Sequence, residues 1–482
     1  MTGTTQQQVF EIVAKQAKVD VANVKPESTL KDLGIASLEA IELIFDIEEH
    51  FDIHFPEQQG ANFDSDTAQS LVDAVQKALD EKAAAGEGNA PLGVGARALW
   101  QGLREGRSAI GPLRHRDSDT LRVKIAAQVP ESFDPATGID ERTLPLLDRT
   151  SEFALHAARE AIAHSGIDFA RDGLGQRTAV VVGTGVGGET TQDEQSRRIY
   201  AEKASRTHPL TIVRLMTNAS ASQISIAYGL RGPTYAVASA CASANHAIIQ
   251  AAQMIRFGMT DVAVTGGTEA CLSFGALRAW EAMRVLSDDT CRPFSVNRRG
   301  LVLGEGAGIF VLESLEHARA RGATILAELA GTGMSADASD IVMPSAEGAA
   351  SAMRQALAEA GLNPEDVDYI NAHGTGTQAN DVTETRAIRL AFGDHADRLA
   401  VSSTKSMHGH ALGASGALEL VAAIGALREN VVPPTANLDQ VDPTCDLDYV
   451  PNTAREMPVR AVLSNSFAFG GLNAVLALKR AP

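Results

Sequence analysis

From about residue 91 onward the chain predicts an α/β fold, and ahead of it stands a small all-helical unit. Three observations carry this. Short β-branched runs, TAVVVGTG (178–185), DVAVTGG (261–267), TILAELAG (324–331), DYINAHG (368–374) and LAVSSTKS (399–406), alternate with helical stretches, the pattern of sheets covered by helices. Several of these runs are almost wholly apolar, as strands buried on both faces are. Before them, apolar residues recur at helical spacing instead.

The helical unit comes first in the chain. Val9, Ile12 and Val13 make one stripe over 9–17, and Pro26, Glu27 and Ser28 break the pattern. Leu38, Ile41, Ile44, Phe45 and Ile47 then repeat on one face of 37–51, with acids on the other and Ser37 where an N-cap belongs. A further helix is expected near 67–79. The stretch EKAAAGEGNAPLG (81–93) is Ala/Gly-rich without apolar periodicity and reads as a linker.

Charge and cysteine usage narrow the function classes. The net charge of −18 disfavours a nucleic-acid binder. Residues 1–85 hold six lysines against sixteen acids, so the helical unit carries ten of the eighteen net negative charges. Such a concentration aids solubility or steers a basic partner. The four cysteines (Cys241, Cys271, Cys291, Cys445) form no CxxC pair and no zinc-spaced cluster. That argues against a disulfide framework or structural metal and fits a reducing, cytoplasmic setting. No apolar run is long enough to span a bilayer.

Four motifs carry candidate chemistry. In YAVASACASANHAIIQAAQMIRFG a strand runs through Cys241 into a helix, so the thiol stands at a helix N-terminus, where orphan N–H groups favour thiolate and should lower its pKa. A lone cysteine is as often a small buried hydrophobe. NAHGTGTQANDVTE places His373 at a strand end before a Gly/Thr loop, SSTKSMHGHALGASGALEL carries Lys405, His408 and His410, and SNSFAFGGLN carries Phe467 and Phe469. Taken singly, each also has a plain structural reading. The Gly-rich GTGVGGE (183–189) lacks the spacing of a phosphate-binding loop.

Together, and in this order with RPFSVNRRG…GEGAG (292–308), these motifs make residues 91–482 resemble the elongating β-ketoacyl-acyl-carrier-protein synthases, members of the thiolase fold. The resemblance implies two βαβαβαββ-type halves, 91–322 and 323–482, layered α-β-α-β-α. It also implies a Cys-His-His set on Cys241, His373 and His410, with Lys405 in a buried pair with Glu384. The backbone N–H groups of Cys241 and Phe469 would form an oxyanion hole. Thr375 and Thr377 match positions that contact a phosphopantetheine arm, and Phe469 matches a gate on the acyl pocket. His408 receives no role.

Residues 1–83 resemble acyl carrier proteins, small four-helix domains, through PESTLKDLGIASLEAIELIFDIEEHFDIHFPE, with 84–90 as linker. That resemblance implies covalent 4′-phosphopantetheine on Ser37, attached by a phosphopantetheinyl transferase, and an acidic recognition face including Glu39, Glu42, Glu48 and Glu49. The implied activity is decarboxylative condensation of an acyl thioester with a malonyl thioester in fatty-acid or polyketide assembly. The implied partners are carrier-bound thioesters and a second ketosynthase-like chain, identical or not.

A non-catalytic chain-length-factor-like or scaffold subunit is the rival reading, opposed by the retained cysteine and histidines. Ala36 stands where the carrier family has Asp, and Ser295 and Arg299 stand where the synthases usually have Asp. The synthase match begins at APLG (90–93), so the first strand of the N-terminal half, an apolar run ending in a Thr-Gly turn, is missing from the sequence. Either a neighbouring segment substitutes or that half is one strand short.

Overall fold

In the computed structural model, which describes residues 5–35, 40, 43–44, 46–47, 50–51, 67–75, 89–115 and 118–481, the chain divides into two units, Met1–Gly86 and Glu87–Pro482. In the first, α1 (Thr5–Ala17) and a helical stretch at 68–75 bury Val9, Val13, Leu71 and Val75 around Leu30, Leu43 and Ile47. The apolar stripes of the sequence therefore meet in one small core. Ser37, Glu39, Glu42, Glu48 and Glu49 lie outside the described residues.

The second unit holds two mixed sheets. Its N-terminal half supplies α2 (Arg149–Ser165), β1 (Ala179–Gly183), α3 (Glu189–Tyr200), α4 (Ala219–Tyr228), β2 (Thr234–Val237), α5 (Ser243–Arg256), β3 (Val262–Glu269), α6 (Phe274–Met283) and β4 (Gly306–Glu313). The strand order is β2-β1-β3-β4, with β1 parallel to β2 and β3, and β4 antiparallel to β3. Its C-terminal half supplies β5 (Glu328–Ala336), α7 (Ala346–Ala360), β6 (Tyr369–Asn371), α8 (Gln378–Phe392), β7 (Ala400–Ser402), α9 (Ser415–Glu429), β8 (Ala461–Ala468) and β9 (Leu472–Lys479).

That second sheet runs β7-β6-β8-β9-β5, the same order with one strand more, because β5 pairs antiparallel along the outer edge of β9. Among the described residues no strand is hydrogen-bonded along the matching edge of β4, although the two-residue strand Asn89–Ala90 lies beside β4. Among the described residues the N-terminal sheet is the shorter of the two.

Helices α5 and α9 pack against each other and against both sheets, and α2 and α7 cover the outer faces. The layers are therefore α-β-α-β-α. The expected run 324–331 is displaced to β5 (Glu328–Ala336), which continues past Gly331 because that glycine lies inside the strand rather than ending it. A Cβ on Gly333 would meet the carbonyl oxygen of Ala352 on α7 at 1.9 Å, so the helix sits directly on the strand backbone.

Candidate active site

Cys241 sits on the short turn Ala240–Ala242 that joins β2 to α5. Ala240 adopts φ 49°, a left-handed conformation that alanine disfavours. The turn is stitched by Ser243, whose hydroxyl accepts from Ser239 N at 2.9 Å and donates to Ala240 O at 2.7 Å. The close approach of α5 to the sheet depends on β1, where a Cβ on Gly183 would meet the backbone of Ser243 at 2.4 Å.

The structure brings His410 to the sulfur, with Nε2 at 3.1 Å from Cys241 Sγ. Ser415 at the start of α9 contacts the far nitrogen, Nδ1, at 2.7 Å. His373, at the end of β6, lies with its ring centroid 5.4 Å from that of His410. Lys405 Nζ approaches His373 Nδ1 at 3.4 Å. An ammonium has no lone pair, so it donates, and the ring proton of neutral His373 is left on Nε2.

One implied contact is corrected here. Fully buried Lys405 forms its ion pair with Glu419 on α9, not with Glu384. Glu384 accepts instead from the backbone N–H groups of His373 and Gly374, both at 2.8 Å, and from Asn465 Nδ2 at 3.1 Å. It therefore orients the His373 loop through the main chain. Glu419 and Ser415 escaped the sequence reading. The available signal was a single acid within the apolar helix SGALELVAAIGAL, since a carboxylate buried there needs a partner.

A second expectation is reversed. Burial pushes the Cys241 thiol up to about 12, with Glu269 adding to the rise. Lys405 and the N–H groups of Cys241 and Phe469 oppose it. Burial outweighs the helix terminus, so the resting group is a neutral thiol. Both histidines are held well below their usual range by burial first and by Lys405 second, so they are neutral as well. Glu269 accepts from the backbone of Gly185 and Gly413 at 2.6 and 2.9 Å, and burial raises it to about 7.

Thr375 and Thr377 follow His373 on the same loop, their hydroxyls 2.9 Å apart, and Thr377 caps α8. His408 is buried against Thr404 at 3.0 Å and takes no part in the cluster. Ser295 is buried and bonded to Asn297 and Gln440, whereas Arg299 pairs with Asp288 at the surface. Phe469 stacks on Trp280 with centroids 6.1 Å apart, and both line a cavity of about 490 Å³ that reaches Cys241. Among the described residues no His/Cys/Asp/Glu group could hold a metal ion, and no helix is long and apolar enough to cross a membrane.

Comparison with known proteins agrees with this geometry. Residues 85–318 match the family described as Beta-ketoacyl synthase, N-terminal domain, and 326–439 match Beta-ketoacyl synthase, C-terminal domain. Residues 7–75 match Phosphopantetheine attachment site. The chain is similar to Nodulation protein E of Rhizobium meliloti (strain 1021), 51% identical over 81% of this chain and 96% of that protein. It is also similar to 3-oxoacyl-[acyl-carrier-protein] synthase 2 of Coxiella burnetii, 43% identical over the same shares. Among solved structures, the ishigamide ketosynthase/chain length factor is similar with TM-score 0.78 and 37% identity, covering 83% of this chain and 98% of that one. A type II PKS ketosynthase, AntDE with its carrier AntF, is similar with TM-score 0.74 and 30% identity over the same shares.

Proposed function

The chain belongs to the β-ketoacyl synthase family and carries a phosphopantetheine attachment domain, and from that premise we propose how its residues perform the condensation. It is an acyl-transferring condensing enzyme acting on an acyl thioester and a malonyl thioester. The arm, when attached, supplies a thiol on which such acyl groups are carried. Its attachment atom is the hydroxyl of Ser37.

In the first half-reaction Cys241 Sγ attacks the acyl carbonyl carbon. The new C–S bond forms, the bond to the carrier thiol breaks, and the thiol proton passes through His410 Nε2 to the leaving thiolate. The N–H groups of Cys241 and Phe469 take the developing oxyanion. In the second half-reaction the malonyl thioester loses CO2, and its electron pair remains as an enolate. The enolate oxygen accepts hydrogen bonds from His373 and His410, and its carbon attacks the acyl carbon of the acyl-enzyme; the C–S bond to Cys241 breaks, and the departing thiolate takes up a proton from solvent to restore the thiol. Ser415, able to donate or accept at Nδ1, lets His410 hold its proton on either nitrogen. Glu384 and Lys405 position His373, Thr375 and Thr377 receive the arm, and Phe469 gates the acyl pocket.

The observation that supports this most is the 3.1 Å contact between Cys241 Sγ and His410 Nε2 beside a neutral His373. The rival reading, a non-catalytic chain-length-factor-like or scaffold subunit, is not favoured, since the relatives include 3-oxoacyl synthases. We also assign the chain a ketosynthase-like partner, identical or not, a phosphopantetheinyl transferase acting on Ser37, and a cytoplasmic setting, which four free cysteines suit.

The test is incubation with an acyl-carrier thioester and then malonyl-carrier, following Cys241 acylation by intact mass and CO2 release. Acylation should vanish in Cys241→Ala. In His373→Ala it should persist while CO2 release falls about 10²-fold or more. Acylation that survives Cys241→Ala sinks the assignment. Coexpression with the transferase should add the mass of the arm, and Ser37→Ala should abolish that addition.

A further inference from the structure

The cavity at Cys241 has two unlike walls. From α6 come Gly275, Ala276, Ala279 and Trp280, an apolar wall of small side chains closed by one indole. From α3 come polar side chains at one-turn spacing, on the face that Glu189, Gln192, Asp193 and Ser196 share. Two of these four are already engaged. Glu189 accepts from Ser273 Oγ at 2.7 Å and Asp193 accepts from Gly275 N at 3.1 Å, which clasps the start of α6 to α3.

The Gln192 amide and the Ser196 hydroxyl, four residues apart, have no side-chain hydrogen bond among the described residues. Both groups are exposed to solvent, so a saturated alkyl chain laid along the α3 wall would take them from water and return no hydrogen bond. That costs free energy for every polar group taken from water unpaired. A chain bearing oxygen at the right depth would pair with them instead.

We propose that the acyl group accepted at Cys241 carries a hydroxyl or carbonyl along its chain, and that Gln192 and Ser196 select it by hydrogen bonding. This rests on the reading of Cys241 as the acyl-carrying nucleophile. It adds the chemical class of the chain and two specificity-determining residues. A site built to bond an oxygen discriminates against the analogue lacking it, whereas an apolar slot discriminates weakly either way.

The test uses the full chain and phosphopantetheine thioesters of octanoate, one saturated and a series with a single hydroxyl walked along the chain. Cys241 acylation is timed by intact mass. At least one hydroxylated donor should acylate Cys241 about tenfold faster than the saturated one. In Gln192→Leu/Ser196→Ala that ratio should fall to about one. Each ratio is internal to one protein, so a loss of folded enzyme lowers both rates and does not imitate the effect. The proposal is overturned if the saturated donor matches every hydroxylated one in the wild type, or if the preference survives in the double variant. Acylation by no donor at all would instead overturn the reading of Cys241, and this inference with it.

Discussion

Lys405 is fully enclosed and Cys241 is buried at the end of its cavity, and the protein handles the two groups in opposite ways. The thiol stays neutral, because burial raises it to about 12 and Lys405 only partly offsets the rise. A raised value leaves little thiolate at neutral pH. Alkylation of Cys241 by iodoacetamide, read site by site by mass spectrometry, should therefore keep climbing through pH 9 with no plateau near 7. A plateau near 7 would mean a thiolate stabilised at rest. The lysine instead keeps a carboxylate beside it. Glu419→Leu removes that partner and should destabilise the protein by about 3–5 kcal/mol, read by denaturant unfolding. Lys405→Met/Glu419→Leu should recover most of the loss, because no unpaired charge then remains. If both variants unfold alike, the pair is not what holds this layer.

The elements that carry these residues are placed by close backbone contacts more than by propensity. β2, the turn at Ala240 and α5 present Cys241, and Gly183 of β1 lets the first turn of α5 come down onto the sheet. Gly183→Ala puts a methyl where Ser243 backbone stands and should cost about 1–3 kcal/mol of stability. It should also slow acylation, measured by intact mass, more than it slows global refolding. An unchanged acylation rate would show that α5 can shift without moving the sulfur. The strand-to-helix passage at Cys241 was legible as a β-branched run followed by helical spacing. The extension of β5 past Gly331 was not, because Gly331 and Gly333 resemble strand terminators until α7 is packed against them.

On the scale of the molecule, the two sheets share one strand order and, among the described residues, differ by one strand. β5 covers the edge of β9, and among the described residues no strand is hydrogen-bonded to the corresponding edge of β4. Unpaired edge amides exchange with solvent more readily than laddered ones. Peptides covering 306–313 should therefore lose amide protection sooner in hydrogen–deuterium exchange than peptides covering 472–479. Equal protection would mean that a further segment pairs with β4.

The order of motifs along the chain carried the family, the reaction class and the Cys-His-His set, because each motif places a distinct reactive side chain at a strand or helix end. What it could not carry was who partners whom. Lys405 takes Glu419 rather than Glu384 because α9 passes beside it in the central layer. The thiol of Cys241 is raised rather than lowered because enclosure by two halves outweighs one helix terminus. Both outcomes depend on segments far apart in sequence packing around one point, and that long-range burial belongs to the tertiary structure alone.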